Sequence, residues 1–477
     1  MKYGGIFVKR IVCIALSVWI ILSLFSGCKA TKEPDDSTND VATTTGDTKE
    51  AEQADGSEPE DTTGNTMPSN VGATERPTEP TAQNPTEPTT QKPTEPTTQK
   101  PTEPIESDSN ILDSGTWVVA SITWKVTTDG VLTIEGNRSV QSAKTYSWTK
   151  YSNVITKIVI GEGITNIPSN AFREMSKVVS VELGSTIESI DESAFYSCTA
   201  LESVTIPKST KKIFERAFAR CANLKTLSFA ADCQLEEIGE YAFSESGVQE
   251  FVAPANLQKI GQHAFEKCEN LESVRLEGSV SILKVGAFRG CTGLKHLVLG
   301  ESIIYVDAYI FEGCENLTTL EYYAFERIDF ENFTKLTTVV IGGKRTETGI
   351  FDGCTALSSV TIGPNVTQVS PLAFTDCRSL TAITLPSSIT TIGIDAFRNT
   401  GITKITIPSQ VSAIEAFAFG STPLEEIVFT GNAPAFDYTT SFFHVTATAY
   451  YPAGNSSWKS SVRQNYGGTL TWVAAES

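Results

Sequence analysis

Histidine occurs only three times in the 477 residues, as His263, His296 and His444, and no two of them fall within one motif. A catalytic or metal-binding site built on imidazole needs converging partners, and none is spaced to supply them. Cys-x-x-Cys pairs, Cys-His clusters and the phosphate-cradling Gly-x-x-x-x-Gly-Lys-Ser/Thr loop are also missing. Glu236-Glu237 and Glu425-Glu426 are sequence neighbours, not an acid and a base placed across a substrate. No catalytic residue, cofactor or metal is predicted, and the chain does not read as an enzyme. Positive charge is scarce too. Residues 111–477 carry 28 Lys/Arg against 38 Asp/Glu within an overall charge of -19, which excludes a sequence-independent nucleic-acid footprint. Without a polybasic segment, attachment to anionic lipid by charge is excluded as well.

Long hydrophobic runs are limited to one. Lys9-Arg10, the apolar stretch Ile11 to Phe25 and Ser26-Gly27-Cys28 follow the order of a secretory signal. The stretch is shorter than the ~20 residues of a spanning helix. Leu24-Phe25-Ser26-Gly27-Cys28 resembles the bacterial lipobox, with Phe25 in place of the usual Leu. That resemblance implies a lipid on Cys28, which becomes the mature N-terminus; the alternatives are an ordinary signal cut nearby or an uncleaved anchor. Residues 29–110 then hold 18 Asp/Glu, 6 Lys/Arg and no aromatic residue, too little apolar surface to offset the entropy of ordering. A disordered linker is predicted there. From Pro77 it becomes an eight-residue repeat, of which Pro93-Thr-Glu-Pro-Thr-Thr-Gln-Lys100 is one copy. Spaced prolines favour polyproline II, so ~30 such residues would extend on the order of 90 Å, a stalk. A Pro-rich docking motif or a glycosylated stalk are the other readings.

What the rest has in abundance is one sentence, repeated. Its clearest copy is Ile187-Glu-Ser-Ile190-Asp-Glu-Ser-Ala194-Phe195-Tyr-Ser-Cys198-Thr-Ala-Leu201-Glu-Ser-Val204-Thr-Ile206-Pro207. The Phe recurs twelve times from Phe172 to Phe419, mostly 23 residues apart. Ala194, Phe195, Cys198 and Leu201 have helical spacing, while Leu201, Val204 and Ile206 end in strand alternation, so each copy reads as a short helix and a short strand. One copy cannot bury its own apolar stripe. The copies must stack, strand beside strand, into an α/β solenoid over residues 154–430. Residues 111–153, with Trp117, Trp124, Trp148 and the hairpin signal Asp129-Gly130, read as an N-terminal β cap, and residues 431–477 as a C-terminal cap.

Three positions after the Phe stand Cys198, Cys221, Cys268, Cys291, Cys314, Cys354 and Cys377, one per coil. Met175 and Phe333 replace them elsewhere, which favours a buried apolar column over a disulfide framework. Three copies lose both the Cys and a neighbouring residue, at Ser246-Gly247-Val248, Thr400-Gly401-Ile402 and Thr422-Pro423-Leu424, which points to a tighter turn. Between Phe311 and Phe351 the interval slips to 19 and then 21 residues. An interrupted array can carry function, and drift in a tolerant repeat accounts for the slip equally.

The motif Ile-x-x-Ile-x-x-x-Ala-Phe-x-x-Cys-x-x-Leu-x-x-Val-x-Ile-Pro resembles the BspA-like, or Treponema-type, class of leucine-rich repeat. The resemblance implies a horseshoe-like solenoid on a bacterial cell surface, in a family associated with adhesion to host proteins or other cells. It names no catalytic residue and no ligand. Alternation sets which strand residues face outward, and these are mostly Ser and Thr, a surface that suits sheet propensity and could also meet a polysaccharide or ice lattice. Arg275, His296 and Glu321 break that face on three consecutive coils, and Tyr323 extends the strand of Glu321. They are the candidate ligand-binding residues, with Lys344 and Arg345 overhanging. The expected partner is an extracellular protein or a glycan, and the expected membrane link is the lipid at Cys28. Cys28→Ala should abolish incorporation of labelled fatty acid in the native host and leave the chain unprocessed or released; equal labelling of both forms would remove the anchor.

Overall fold

The structure is a computed structural model that describes residues 110–476 apart from 118–120, 329, 344–346 and 438. The signal segment, Cys28, the Pro/Thr/Glu-rich linker, Lys344 and Arg345 lie outside the described residues. Each regular coil has three sides. A four-residue strand such as Ser203–Ile206 buries Val204 and Ile206, and a two-residue strand such as Lys212–Ile213 buries Ile213. A run of turns carrying the Phe closes the third side. The longer strands pair in parallel and in register, for example Thr226 with Ser203 and Phe229 with Ile206. The two-residue strands form a second parallel sheet that runs unbroken from Asn166–Ile167 to Tyr305–Val306.

The expected helix is absent: among the described residues the one helical element is a 3-10 turn at Ser147–Tyr151. An α-helix would spend each N–H on the carbonyl four residues back. Here Ser193, Phe195 and Ser197 donate their N–H to Glu215, Ala217 and Ala219 of the next coil, at 2.9, 2.8 and 2.8 Å. Within the coil, turns close at three residues, Ala194 N–H to Asp191 and Cys198 N–H to Phe195. Ser193 and Ser197 turn left-handed to do this, with φ of 54° and 57°, as do Arg216 and Arg220, and His263 and Lys267. That conformation costs roughly 1–2 kcal/mol per non-glycine residue. The inter-coil hydrogen bonds offset it at about 0.5–1.5 kcal/mol each. Overlapping turns and a helix place the same spaced residues inside, so the pattern alone fitted both.

Stacking the turns puts the phenylalanines ring on ring. Centroids are 5.1 Å apart for Phe172–Phe195 and Phe195–Phe218, and 6.1 Å at the slip, Phe311–Phe330. The ladder runs past the repeats: Trp148 stacks on Phe172 at 5.9 Å and Phe442 on Phe419 at 5.5 Å. At the N-terminal end the Asp129-Gly130 hairpin joins Ile122–Thr127 to Val131–Gly136, and Ile111–Thr116 adds an antiparallel edge strand. Lys150 and Tyr151 bind Asp113 on that edge, holding its carboxyl down at about 2. At the other end Thr446–Pro452 and Thr469–Ala475 continue the parallel sheet.

Cysteine serves this ladder. Each thiol of the column donates to the carbonyl of the Phe one coil earlier, as Cys198 to Phe172 at 3.1 Å and Cys354 to Phe330 at 3.0 Å. All eight described cysteines are free and buried, and burial pushes Cys198 and Cys354 up to about 12 and Cys268 to about 11. In the shortened copies, Thr400 and Thr422 donate instead to their own Phe397 and Phe419 carbonyls, at 2.9 and 2.8 Å.

Proline sets where the longer sheet breaks. The residue after the strand normally donates its N–H to the last strand carbonyl one coil back, as Gly161 does to Ile134, Gly300 to Leu276 and Gly363 to Ile341. Pro207, Pro254, Pro386 and Pro408 occupy that place with no N–H to give. Ser180–Leu183 and Ser203–Ile206 accordingly share one residue pair; Thr226–Phe229 and Glu250–Val252 share none. The coil ending in Pro386, which holds Thr384, lacks the longer strand. The second sheet has its own gap, in the coil shortened to 19 residues after Phe311. There Tyr322, fully buried, stands in for the lost strand: its hydroxyl accepts the Ile328 N–H at 2.6 Å and lies 3.1 Å from the Glu326 carbonyl.

Phe265 is fully buried with stacked rings at 5.2 Å on both sides. Phe265→Ala should cost about 3–5 kcal/mol, and because coils stabilise only their neighbours, calorimetry should show the array melting in two steps. Unchanged melting would mean that the ring column is not the core. The cysteine column should react slowly with alkylating reagents in native buffer and completely in denaturant without reductant, read by mass spectrometry. Thiols that appear only after reduction would contradict the free column.

Candidate functional site

The outward face of the middle sheet consists of two rows set by register. One contains Glu250, Ser273, His296, Thr319, Thr338 and Ser359, and the other Val252, Arg275, Val298, Glu321, Val340 and Thr361. The candidate residues therefore do not share one strand position. Arg275 and Glu321 lie in one row with Val298 between them, and His296 stands in the neighbouring row, opposite Ser273 and Thr319. Two residues along the strand separate neighbouring rows on one face, and His296 stands 21 rather than 23 residues after Arg275, which puts it one row over.

The structure bonds two of the four to each other. Arg275 pairs with Glu277 at 2.8 Å, and the Tyr323 hydroxyl donates to Glu321 at 3.0 Å. Partial burial, then the hydrogen bond to Glu321, raise the Tyr323 phenol above its ordinary value. Beneath this layer Val298 is 4% exposed although it faces outward. An exposed ion pair such as Arg275–Glu277 stabilises the fold by only ~0–1 kcal/mol, so its groups are available to a partner at little cost. His296 is exposed, with Nδ1 2.6 Å from the Thr319 hydroxyl. Glu277, Val252, Val298 and Val340 were missed among the candidates, though alternation marks all three valines as outward.

The other histidines do not join this face. His263 is half-buried in the turns, stacked on Tyr241 at 5.0 Å, and His444 stacks on Phe443. Among the described residues no group of three or more His, Cys, Asp or Glu is placed to hold a metal ion, and no helix is long and apolar enough to cross a membrane.

A second feature lies where the longer sheet splits at Pro254. Thr226–Phe229 and Glu250–Val252 flank an open cleft of about 560 Å³, with Lys225, Ser228, Asp232 and Gln249 among its lining. Its signal in the sequence is a Phe218–Phe243 interval of 25 residues, two longer than the norm, with the addition falling between Phe229 and Leu235.

With coils, ladders and face described, the comparison with known families is direct. The BspA type leucine rich repeat region (6 copies) matches residues 141–271, 230–339 and 319–446. The chain belongs to the BspA-type leucine-rich repeat family. Proteins of this family are generally bacterial surface proteins, and leucine-rich repeat solenoids are typically non-enzymatic binding scaffolds. Among solved structures, a leucine-rich repeat protein from Bacteroides ovatus is 25% identical, with 75% of this chain and 99% of that one covered and a TM-score of 0.39. The Treponema pallidum leucine-rich repeat protein is also 25% identical, over 43% of this chain and 91% of that one, with a TM-score of 0.30. A leucine-rich cell surface protein from Faecalibacterium prausnitzii is 21% identical over 67% and 95%, with a TM-score of 0.26. No curated protein matches the chain.

Proposed function

We propose that this BspA-type protein is a lipid-anchored, stalk-displayed binding protein of the bacterial cell surface, which recognises an extracellular protein through the outward face around Arg275, Glu321 and Tyr323. The observation that carries the reading is the row Val252, Arg275, Val298, Glu321, Val340, where apolar and charged side chains alternate across five coils beside an aromatic residue. Protein interfaces favour that mixture of an aromatic or Arg anchor on an apolar bed. Anchoring follows from Cys28, and reach from the Pro/Thr/Glu-rich segment; adhesion to host proteins or other cells is the role this arrangement serves. A polysaccharide is the second reading, supported by the in-register hydroxyls Ser273, Thr319, Thr338 and Ser359 in the adjoining row.

A host-matrix protein panel beside a glycan array separates the two readings. With a protein partner in hand, changing Arg275, His296, Glu321 and Tyr323 together to Ser or Thr should weaken binding at least tenfold, the equivalent of ~1.4 kcal/mol, with the melting temperature unchanged. Retained affinity would move recognition off this face.

A further inference from the structure

We infer that the cleft between Thr226–Phe229 and Glu250–Val252 is a second binding site, one that takes a short extended peptide as an added strand. It adjoins the face around Arg275 through Val252, which pairs with Arg275, and its walls are main chain. Alternate residues of a parallel strand direct their N–H and C=O to opposite neighbours. Thr226 N–H goes back to Glu202 at 3.2 Å and Ala230 N–H to Ile206 at 2.9 Å, so the amides of Leu227 and Phe229 face the cleft. On the opposite wall Ala253 N–H turns away to Arg275 at 2.9 Å, which leaves the main chain of Glu250 and Val252 facing in. Gln249 N–H to Lys225, at 3.2 Å, pins one end, and Pro254 prevents closure at the other.

The floor is apolar where other coils are sealed. In most coils the second and fourth residues of the longer strand are buried, as Val204 and Ile206 are, whereas Leu227 and Phe229 are half-exposed, and the outward Val252 beside them is 47% exposed. Two half-satisfied strand edges over an apolar floor match the chemistry of β-strand addition, in which main-chain hydrogen bonds supply affinity and pockets for alternate side chains supply choice. The rim holds Lys225 beside Asp232 and Glu250, so charges of both signs border the entrance. The ligand is therefore a peptide of low net charge with apolar residues at alternate positions, and about 560 Å³ is within the range of pockets that hold ligands, ~300–1,000 Å³.

The test uses the full chain and a random dodecapeptide library displayed on phage. Selected peptides should bind the wild type and lose at least tenfold in affinity for Thr226→Trp and for Ala255→Arg, both at exposed positions that leave the melting temperature unchanged. Bound peptide should slow hydrogen exchange at the Leu227 and Phe229 amides, and N-methylation of alternate peptide residues should abolish binding. The variant altered at Arg275, His296, Glu321 and Tyr323 should bind the same peptides normally, which separates this site from that face. Equal affinity for wild type and both cleft variants, unchanged exchange at Leu227 and Phe229, or enrichment of no peptide would overturn the proposal.

Discussion

The fold depends on one constraint: a coil cannot satisfy its own backbone. In the turns as in the strands, the amide of one coil finds its carbonyl in the next, as Phe195 does in Ala217 and Phe218 in Ala242. Regular stacking is then the arrangement that leaves few polar groups stranded in a narrow core. The other regularities follow from it. Rings must superpose because the backbones that carry them are in register, and a Cys thiol three residues later falls beside the previous Phe carbonyl. A small, weakly polar side chain suits that place because the interior is apolar and the one acceptor within reach is already partly used.

Much of this was legible. The twelve spaced Phe residues, the apolar Cys column and the need for stacking came from periodicity and composition, and Asp129-Gly130 marked its hairpin. The helix was misread because spacing reports which side chains point inward and not which hydrogen bonds their backbone makes. Left-handed φ at Ser193, Arg216 or His263 leaves no compositional trace when the residue is not glycine. The face around Arg275 was legible as outward, and its rows follow from the 23-residue repeat: Arg275, Val298 and Glu321 stand 23 residues apart, whereas His296 stands 21 after Arg275 and so falls in the neighbouring row.

The prolines at 207, 254, 386 and 408 were visible as the end of the motif and silent about their effect. Each lacks a single donor at a place where neighbouring coils use one, and the result is a sheet in separate pieces rather than one continuous surface. The cleft beside Pro254 is a product of that loss combined with the two added residues before Leu235. Neither alone is conspicuous in the chain. The breaks in the sheet and the cleft thus arise where the repeat departs from its norm, on a scaffold whose norm supplies the rigidity.

The gaps in the two sheets also fall at different levels. Where the longer sheet parts between Phe229 and Glu250, the second sheet pairs Glu237–Ile238 with Lys259–Ile260, and where the longer sheet lacks a strand near Pro386, Gln368–Val369, Thr391–Ile392 and Ala413–Ile414 remain joined. Where the second sheet is missing after Val306, the longer one pairs Thr319–Tyr322 with Thr338–Ile341. The joints are staggered like those of brickwork, so no seam crosses both walls at one level. A pull along the solenoid meets at least one stitched wall at each of these weak courses.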